Sequence, residues 1–204
     1  MERKSIDAGK SGRKPSGAAV IRPELTTTLF KALFEEWAET GYAAISLERV
    51  AARAGAGKAA IYRRWPSKVE FACDAIQVVC LGLPDLGDCC SLRKELDAFL
   101  RKTRVVLRHP MIRKIILDAA AERDRTPELS AVLDAVVAAR RRFGNGMLDR
   151  AIARNELQPD LDRELALDLL VSSIYMRMIL RRKNVSIAEL DKQAVVIESA
   201  IKAC

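Results

Sequence analysis

From Leu25 onward the apolar residues return every three or four positions rather than every second one, which is the spacing of helices packed on one face. Leu25, Leu29, Leu33 and Trp37 form the first stripe, and it ends at Gly41. Ser46 then offers an N-cap, and Leu47, Val50, Ala51 and Ala54 recur before Gly55. A third run holds Lys58 to Trp65 and is stopped by Pro66. Ser67 and Glu70 form a capping box that opens a fourth helix, closed by the stretch from Pro84 to Cys90. Ser91 caps a fifth through Leu107, and His109 and Pro110 introduce a sixth reaching Ala121. Thr126 and Pro127 are an N-cap and first-turn pair for a long run to Leu157. After a loop at Gln158 to Asp160, Asp162 caps a helix ending near Arg181, and Ser186 with Glu189 opens the last one. The pattern predicts an all-α chain of about nine helices.

The second and third helices, joined by the turn Gly55, Ala56, Gly57, have the build of a helix-turn-helix. At about 100° per residue, Ile61 and Trp65 share the inward side of the third helix. Ala59 and Arg63 lie opposite, flanked by Ala60 and Tyr62, with Lys58 and Arg64 nearer the edges of the buried face. Such a face suits a major groove: arginine grips guanine bidentately, and small alanines allow close approach and touch thymine methyls. Tyr62 and Lys58 fit phosphates better. The next helix points its free amides and Lys68 outward, an anion site that beside a reading helix means a DNA phosphate.

These residues carry a resemblance. Leu29 to Phe71 is similar to the DNA-binding domain of the tetracycline-repressor (TetR) family, through the ordered string Gly41-Tyr42, Ser46-Leu47, Val50-Ala51, Ala54-Gly55, Lys58, Ile61-Tyr62 and Pro66-Ser67-Lys68. The resemblance implies a homodimer and a second, helical domain that binds a small inducer. This chain departs from the family pattern in its reading helix. Gly57 stands where a serine or threonine cap is common, and Ala59 and Ala60 stand where glycine and threonine are common. Glycine caps nearly as well. The missing hydroxyls shift the reading of DNA toward Lys58, Arg63 and Arg64, and leave the operator sequence open.

Charge points the same way. Residues 1–68 hold 13 Lys and Arg against 7 Asp and Glu, whereas the remaining 136 hold 22 against 20. Much of the excess is a basic tail over residues 1–22, rich in Gly and Ser and without apolar period, expected to be disordered off DNA. It reads either as a minor-groove arm or as a solvated leader. It lacks the apolar core of a signal peptide. The longest apolar region, Leu165 to Leu180, is interrupted by Asp168 and Arg177 and is too short for a bilayer. A cytoplasmic protein without membrane contact is expected, organised as a tail (1–22), a DNA-binding domain (23–72) and a ligand-binding and dimerisation domain (73–204).

In that last part, Ile187, Leu190, Ala194, Ile197 and Ile201 alternate by three and four, the seam of a helical bundle. With Ile174 and Arg177 on the neighbouring apolar helix they are the expected dimer interface. Packing of the two helices on each other within one protomer is the alternative. Arg177 suits either an acidic ligand or a carboxylate across the dimer, and the pairing is preferred. Phe99, Met111, Ile115, Phe143, Met147, Tyr175 and Met178 are the candidate lining of a pocket for an unknown small-molecule effector. From Glu156 through Pro159, Asp162, Ala166 and Leu170 to Tyr175-Met176-Arg177 the chain also resembles one C-terminal subgroup of TetR-like regulators. Gly144 and Gly146 suggest a kink in the long helix, and the run Arg140 to Arg142 a solvated face or a second nucleic-acid patch.

Five cysteines, Cys73, Cys80, Cys89, Cys90 and Cys204, form no CxxC pair. Buried apolar thiols are the plain reading, a thiol or metal sensor on the fourth helix the alternative. His109 is the single histidine and has no nucleophile partner beside it, and neither a phosphate loop nor a metal triad is present, so no catalytic residue, cofactor or metal site is expected. The sequence points to a homodimeric, operator-binding repressor released by a ligand through a swing of the fourth helix. An activator or a nonspecific DNA-coating protein of the same fold remain the alternatives.

Overall fold

The computed structural model describes residues 23–81 and 87–204, so the basic tail and residues 82–86 lie outside the description. Among the described residues there are nine helices and no strand. They are α1 (Pro23–Thr40), α2 (Leu47–Arg53), α3 (Lys58–Tyr62), α4 (Lys68–Leu81), α5 (Leu92–Leu107), α6 (Pro110–Glu122), α7 (Pro127–Ala153), α8 (Arg163–Tyr175) and α9 (Ile187–Ile201). A π-helical stretch, Met176–Leu180, continues α8 and ends with Arg181 N–H bonded to the Met176 carbonyl at 2.9 Å.

Most boundaries follow the caps. Ser46, Ser91, Asp162 and Ser186 each accept a backbone N–H of the first turn through the side chain, and Ser186 with Glu189 closes a complete capping box. At α4 the box is half made: Ser67 Oγ accepts from Glu70 N–H at 3.1 Å, but the Glu70 carboxylate bonds that same hydroxyl.

Three boundaries differ from the sequence reading. The third helix stops at Tyr62 rather than Trp65, because Arg64 N–H turns to the Ile61 carbonyl three residues back at 2.8 Å and so interrupts the i→i−4 ladder just before Pro66. Trp65 instead closes a turn onto the Ile61 carbonyl and anchors its indole N–H on Asp74 of α4 at 2.8 Å. The long helix α7 ends at Ala153 and not Leu157, because Asn155 takes the left-handed conformation (φ 58°). Asn155 N–H then bonds Ile152 O and Glu156 N–H bonds Ala151 O, the Schellman closure. The sixth helix runs one residue further, to Glu122.

At Gly144 and Gly146, the expected place of a kink, α7 continues as α-helix without interruption. Gly144 serves close packing: a Cβ there would lie 2.4 Å from Leu167 Cδ2 and 3.2 Å from Leu170 Cδ1, so glycine lets α8 lie against α7.

The apolar stripes assemble two cores. One joins α1 to α4 with Ile115 and Ala119 of α6 and Leu129 and Val136 of α7. The other joins α5, α8, α9 and the C-terminal half of α7. Helix α6 serves both, with Met111, Ile115 and Ala119 against the first and Ile112, Ile116 and Leu117 against the second. At one end of the second core the fully buried Glu95 of α5 binds Arg150 at 2.6 Å and Arg154 at 3.0 Å, tying the start of α5 to the end of α7.

The bundle seam is spent inside the protomer. Leu190, Ala194, Ile197, Ile201 and Ile174 belong to the second core and are at most 4% exposed, which leaves them almost no surface to bury against another copy. Of the residues expected at a dimer interface only Ile187 and Arg177 keep substantial exposure, and within the chain Arg177 pairs with Glu189 of α9 at 3.0 Å.

Candidate nucleic-acid interface

Helix α2 is fixed on α1 by a buried carboxylate. Glu36 accepts from Arg49 Nε at 2.6 Å and from Arg53 Nη2 at 3.4 Å, while Leu47, Val50 and Ala51 turn inward. The chain then reverses at Gly55 (φ 63°), where Gly55 N–H bonds Ala52 O and Ala56 N–H bonds Ala51 O, again a Schellman closure. Gly57 caps α3 by backbone conformation alone, with no side-chain hydrogen bond.

Along α3 and the residues flanking it, Ile61 and Trp65 are buried as the helical arithmetic requires, and Gly57, Lys58, Ala59, Tyr62 and Arg63 are exposed. Two of the expected contact residues are placed otherwise. Ala60 is only 8% exposed and sits on the core side of the helix, because α3 is one and a half turns long and spends two of its five residues on packing. Arg64 folds back: its Nη1 donates to the Ala60 carbonyl at 3.0 Å and its Nε is buried without a hydrogen-bond partner.

Lys58 is exposed but engaged. Its ammonium binds Glu48 of α2 and lies 5.4 Å from the centre of the Tyr62 ring. Glu48 also accepts from the Ser46 hydroxyl at 3.1 Å, and the Lys58 contact holds its carboxyl down at about 2. Ser46, Glu48, Lys58 and Tyr62 thus form one connected polar strip across α2 and α3. Glu48 was missed by sequence reading. The missed signal was its place two residues after the Ser46 cap, on the side of α2 opposite Val50.

Lys68 does not present a free cation. Its Nζ donates to the carbonyls of Tyr42 and Ala43, each at 3.0 Å, and lies 4.8 Å from the Tyr42 ring centre. It therefore fastens α4 to the turn between α1 and α2. The same turn is gripped from α6: Asp118 Oδ2 accepts from Trp37 Nε1 at 2.6 Å and from Tyr42 N–H at 2.7 Å. Gly41 (φ 80°) makes room for this carboxylate, since a Cβ would come within 3.3 Å of Asp118 Oδ1. Tyr42 is buried with its hydroxyl unpartnered, and burial pushes that phenol up to about 12, with nearby Cys73, Glu122 and Glu128 adding to the effect.

The candidate pocket residues divide between the cores. Met111 and Ile115 pack with the DNA-binding head, while Phe99, Phe143, Met147, Tyr175 and Met178 pack together in the second core. Phe99 and Phe143 stack at 6.0 Å, Arg140 donates to the Tyr175 hydroxyl at 3.2 Å, and Met147 and Met178 are fully buried. Arg141 pairs with Glu164 and Asp168 of α8, as a surface helix face does.

Cys73 is half-buried against the Glu128 carbonyl, and its thiol is pushed up by burial, then by Glu128 and Glu70. That is opposite to the lowered thiol of a redox sensor. Among the described residues, no group of three or more His, Cys, Asp or Glu is placed to hold a metal ion, and no helix is long and apolar enough to cross a membrane.

Comparison with known proteins agrees with this geometry. Residues 29–72 match the family described as bacterial regulatory proteins, tetR family, and residues 83–195 match the tetracyclin repressor-like C-terminal domain. The chain is 26% identical over 166 residues to the uncharacterized HTH-type transcriptional regulator YdeS of Bacillus subtilis (strain 168), covering 78% of this chain and 80% of that one. Among solved structures it is similar to a transcriptional regulator of Pseudomonas aeruginosa PAO1, with TM-score 0.74 and 19% identity over 90% of this chain and 93% of that one. It is also similar to the regulator FadR of Bacillus subtilis, crystallised with stearoyl-CoA, with TM-score 0.71 and 15% identity over 87% and 97%. With a head and a helical C-terminal part that both match, the chain belongs to the TetR family of DNA-binding transcriptional regulators.

Proposed function

We propose that this regulator is a homodimeric repressor that holds a near-palindromic operator and is released by a small, largely apolar ligand bound in the C-terminal part. The observation that carries the reading is the double grip on the turn at Gly41 to Ala43. Lys68 holds it from α4 and Asp118 from α6, so neither helix can shift without moving the head. Ligand and operator then oppose each other through one two-state element. The sequence reading gave this role to α4 alone, and the grip adds α6.

The aromatic and methionine side chains of α5, α7 and the α8 continuation support an apolar ligand, as does the acyl thioester carried by the FadR relative. Dimerisation is supported by surface apolar residues. Of the twelve large hydrophobic residues exposed among the described residues, six lie on α8, its π continuation and α9: Leu165, Met176, Leu180, Ile187, Val195 and Val196. Two heads related by a twofold axis would read major grooves about 34 to 36 Å apart.

The test is selection of bound DNA from a random library with the full chain at physiological salt, followed by sedimentation of the complex on the enriched site. An inverted repeat bound by two protomers is expected, with binding weakened by stearoyl-CoA as the first ligand probe. A motif without inverted symmetry, bound by one protomer, would overturn the dimeric reading.

A further inference from the structure

We propose that Glu48 and Lys58 act as one unit that reads a single C·G base pair in each half-site, with Glu48 over the cytosine and Lys58 over the guanine. The inference rests on the DNA-binding head of the family and concerns what this chain's own side chains recognise.

The geometry is that of an exposed ion pair bridging the start of α2 and the start of α3. Both side chains face solvent, and both are oriented by neighbours, Glu48 by the Ser46 hydroxyl and Lys58 by the Tyr62 ring. A carboxylate on a DNA-facing surface is repelled by every phosphate, so it weakens binding unless it accepts a hydrogen bond from a base. In the major groove only cytosine N4 and adenine N6 donate. Adenine sets its N7 acceptor beside N6, against the second carboxylate oxygen, whereas cytosine has only a C–H beside N4. On the other strand, guanine offers O6 and N7 to the ammonium, whereas thymine offers O4 beside a methyl group. An anion and a cation held side by side therefore match the donor and acceptors of C·G better than those of any other pair.

The two alanines leave α3 few competing hydrogen-bonding groups at this end. Ala59 offers only a methyl, and Ala60 is turned to the core. Glu48 is in this sense a specificity residue, distinct from a mere support for Lys58.

Library selection with the wild-type chain and with Glu48→Ala and Glu48→Gln separates these roles. The wild type is expected to enrich a motif with one position per half-site that demands C·G, discriminated roughly 5- to 100-fold against the other pairs. Glu48→Ala should flatten that position alone. Glu48→Gln should move it toward A·T, because glutamine pairs bidentately with adenine N6 and N7. Thermal unfolding of each variant, followed by helical circular dichroism, verifies that the exposed substitutions leave the fold intact. Uniform tightening with a steeper salt dependence and an unchanged motif would mean that Glu48 only holds Lys58 away from phosphates, and would overturn the proposal. A wild-type motif without a C·G requirement would overturn it as well, and a wild type that enriches no motif would remove the sequence-specific reading of the whole interface.

Discussion

Two glycines two positions apart in α7 have opposite duties. A Cβ at Gly144 would collide with Leu167 and press on Leu170, both buried, while one at Gly146 would meet only the end of Arg150 at 3.5 Å. Gly146→Ala should therefore stabilise by up to about 1 kcal/mol through helix propensity, and Gly144→Ala should lose about 1–2 kcal/mol once overpacking outweighs the same gain. Urea unfolding of the two variants decides it. Tyr42 gives a second residue-level expectation. Its raised phenol means that the stability it lends is fully present below the ordinary tyrosine value of about 10 and is lost as pH rises from there toward about 12. Tyr42→Phe removes the unpartnered hydroxyl, keeps the ring under Lys68, and should gain about 1 kcal/mol at neutral pH while losing the alkaline sensitivity. Denaturation midpoints at pH 8 and 11 would expose any other outcome. The caps at Ser46, Ser91, Asp162 and Ser186 were legible because a cap acts within one turn of chain. The pairings of Glu48 with Lys58, Asp118 with Trp37 and Arg177 with Glu189 were not, since each spans 10 or more residues, where only folding decides the pairing.

At the level of elements the sequence shows periodicity well and loses the ends and the allegiances. The stop of α7 hinged on Asn155 taking a left-handed conformation that glycine adopts more readily, and the shortness of α3 on the three-residue turn that Arg64 closes onto Ile61. The a/d seam of α9 was plain in the sequence, but a seam does not name its partner, and here α5 and α8 take it up. Helix α6 misleads for a related reason: its apolar residues face two cores, and the two proposed for the pocket, Met111 and Ile115, pack with the head, apart from the candidates on α5, α7, α8 and its continuation. The ion pairs that start α5 against the end of α7 have a measurable weight. Glu95→Ala leaves two partly buried arginines facing a vacated core position and should cost about 3 kcal/mol, whereas an unchanged unfolding midpoint would mean that solvent already screens the pair.

For the whole molecule, the interlocking of the two cores through α6 and α7 predicts one cooperative unfolding transition for the wild-type chain. Asp118→Ala strands the Trp37 indole N–H and the Tyr42 amide, should cost about 2–4 kcal/mol, and should split that transition, the head melting first. Calorimetry showing a single shifted peak would mean that apolar contacts alone couple the parts. The proposed dimer is tested at a different surface: Val196, 66% exposed beside the shallow groove of Ser173, Arg177 and Gln193, is the residue whose change to Asp should yield helical monomers with weakened operator binding. Sedimentation of that variant as a dimer would place the twofold contact elsewhere.

The grip on the Gly41 turn has a bearing on how regulators of this build diversify. Because the α6 hold on the turn passes through one carboxylate oxygen, a glycine with room for it and the indole of the preceding helix, a head rejoined to a new sensor needs these three positions as well as the apolar contacts made by Ile115, Ala119, Leu129 and Val136. Heads and sensors exchanged between such proteins should function as hybrids when the trio and the apolar contacts are both kept, and a graft lacking the trio should bind DNA yet ignore its effector.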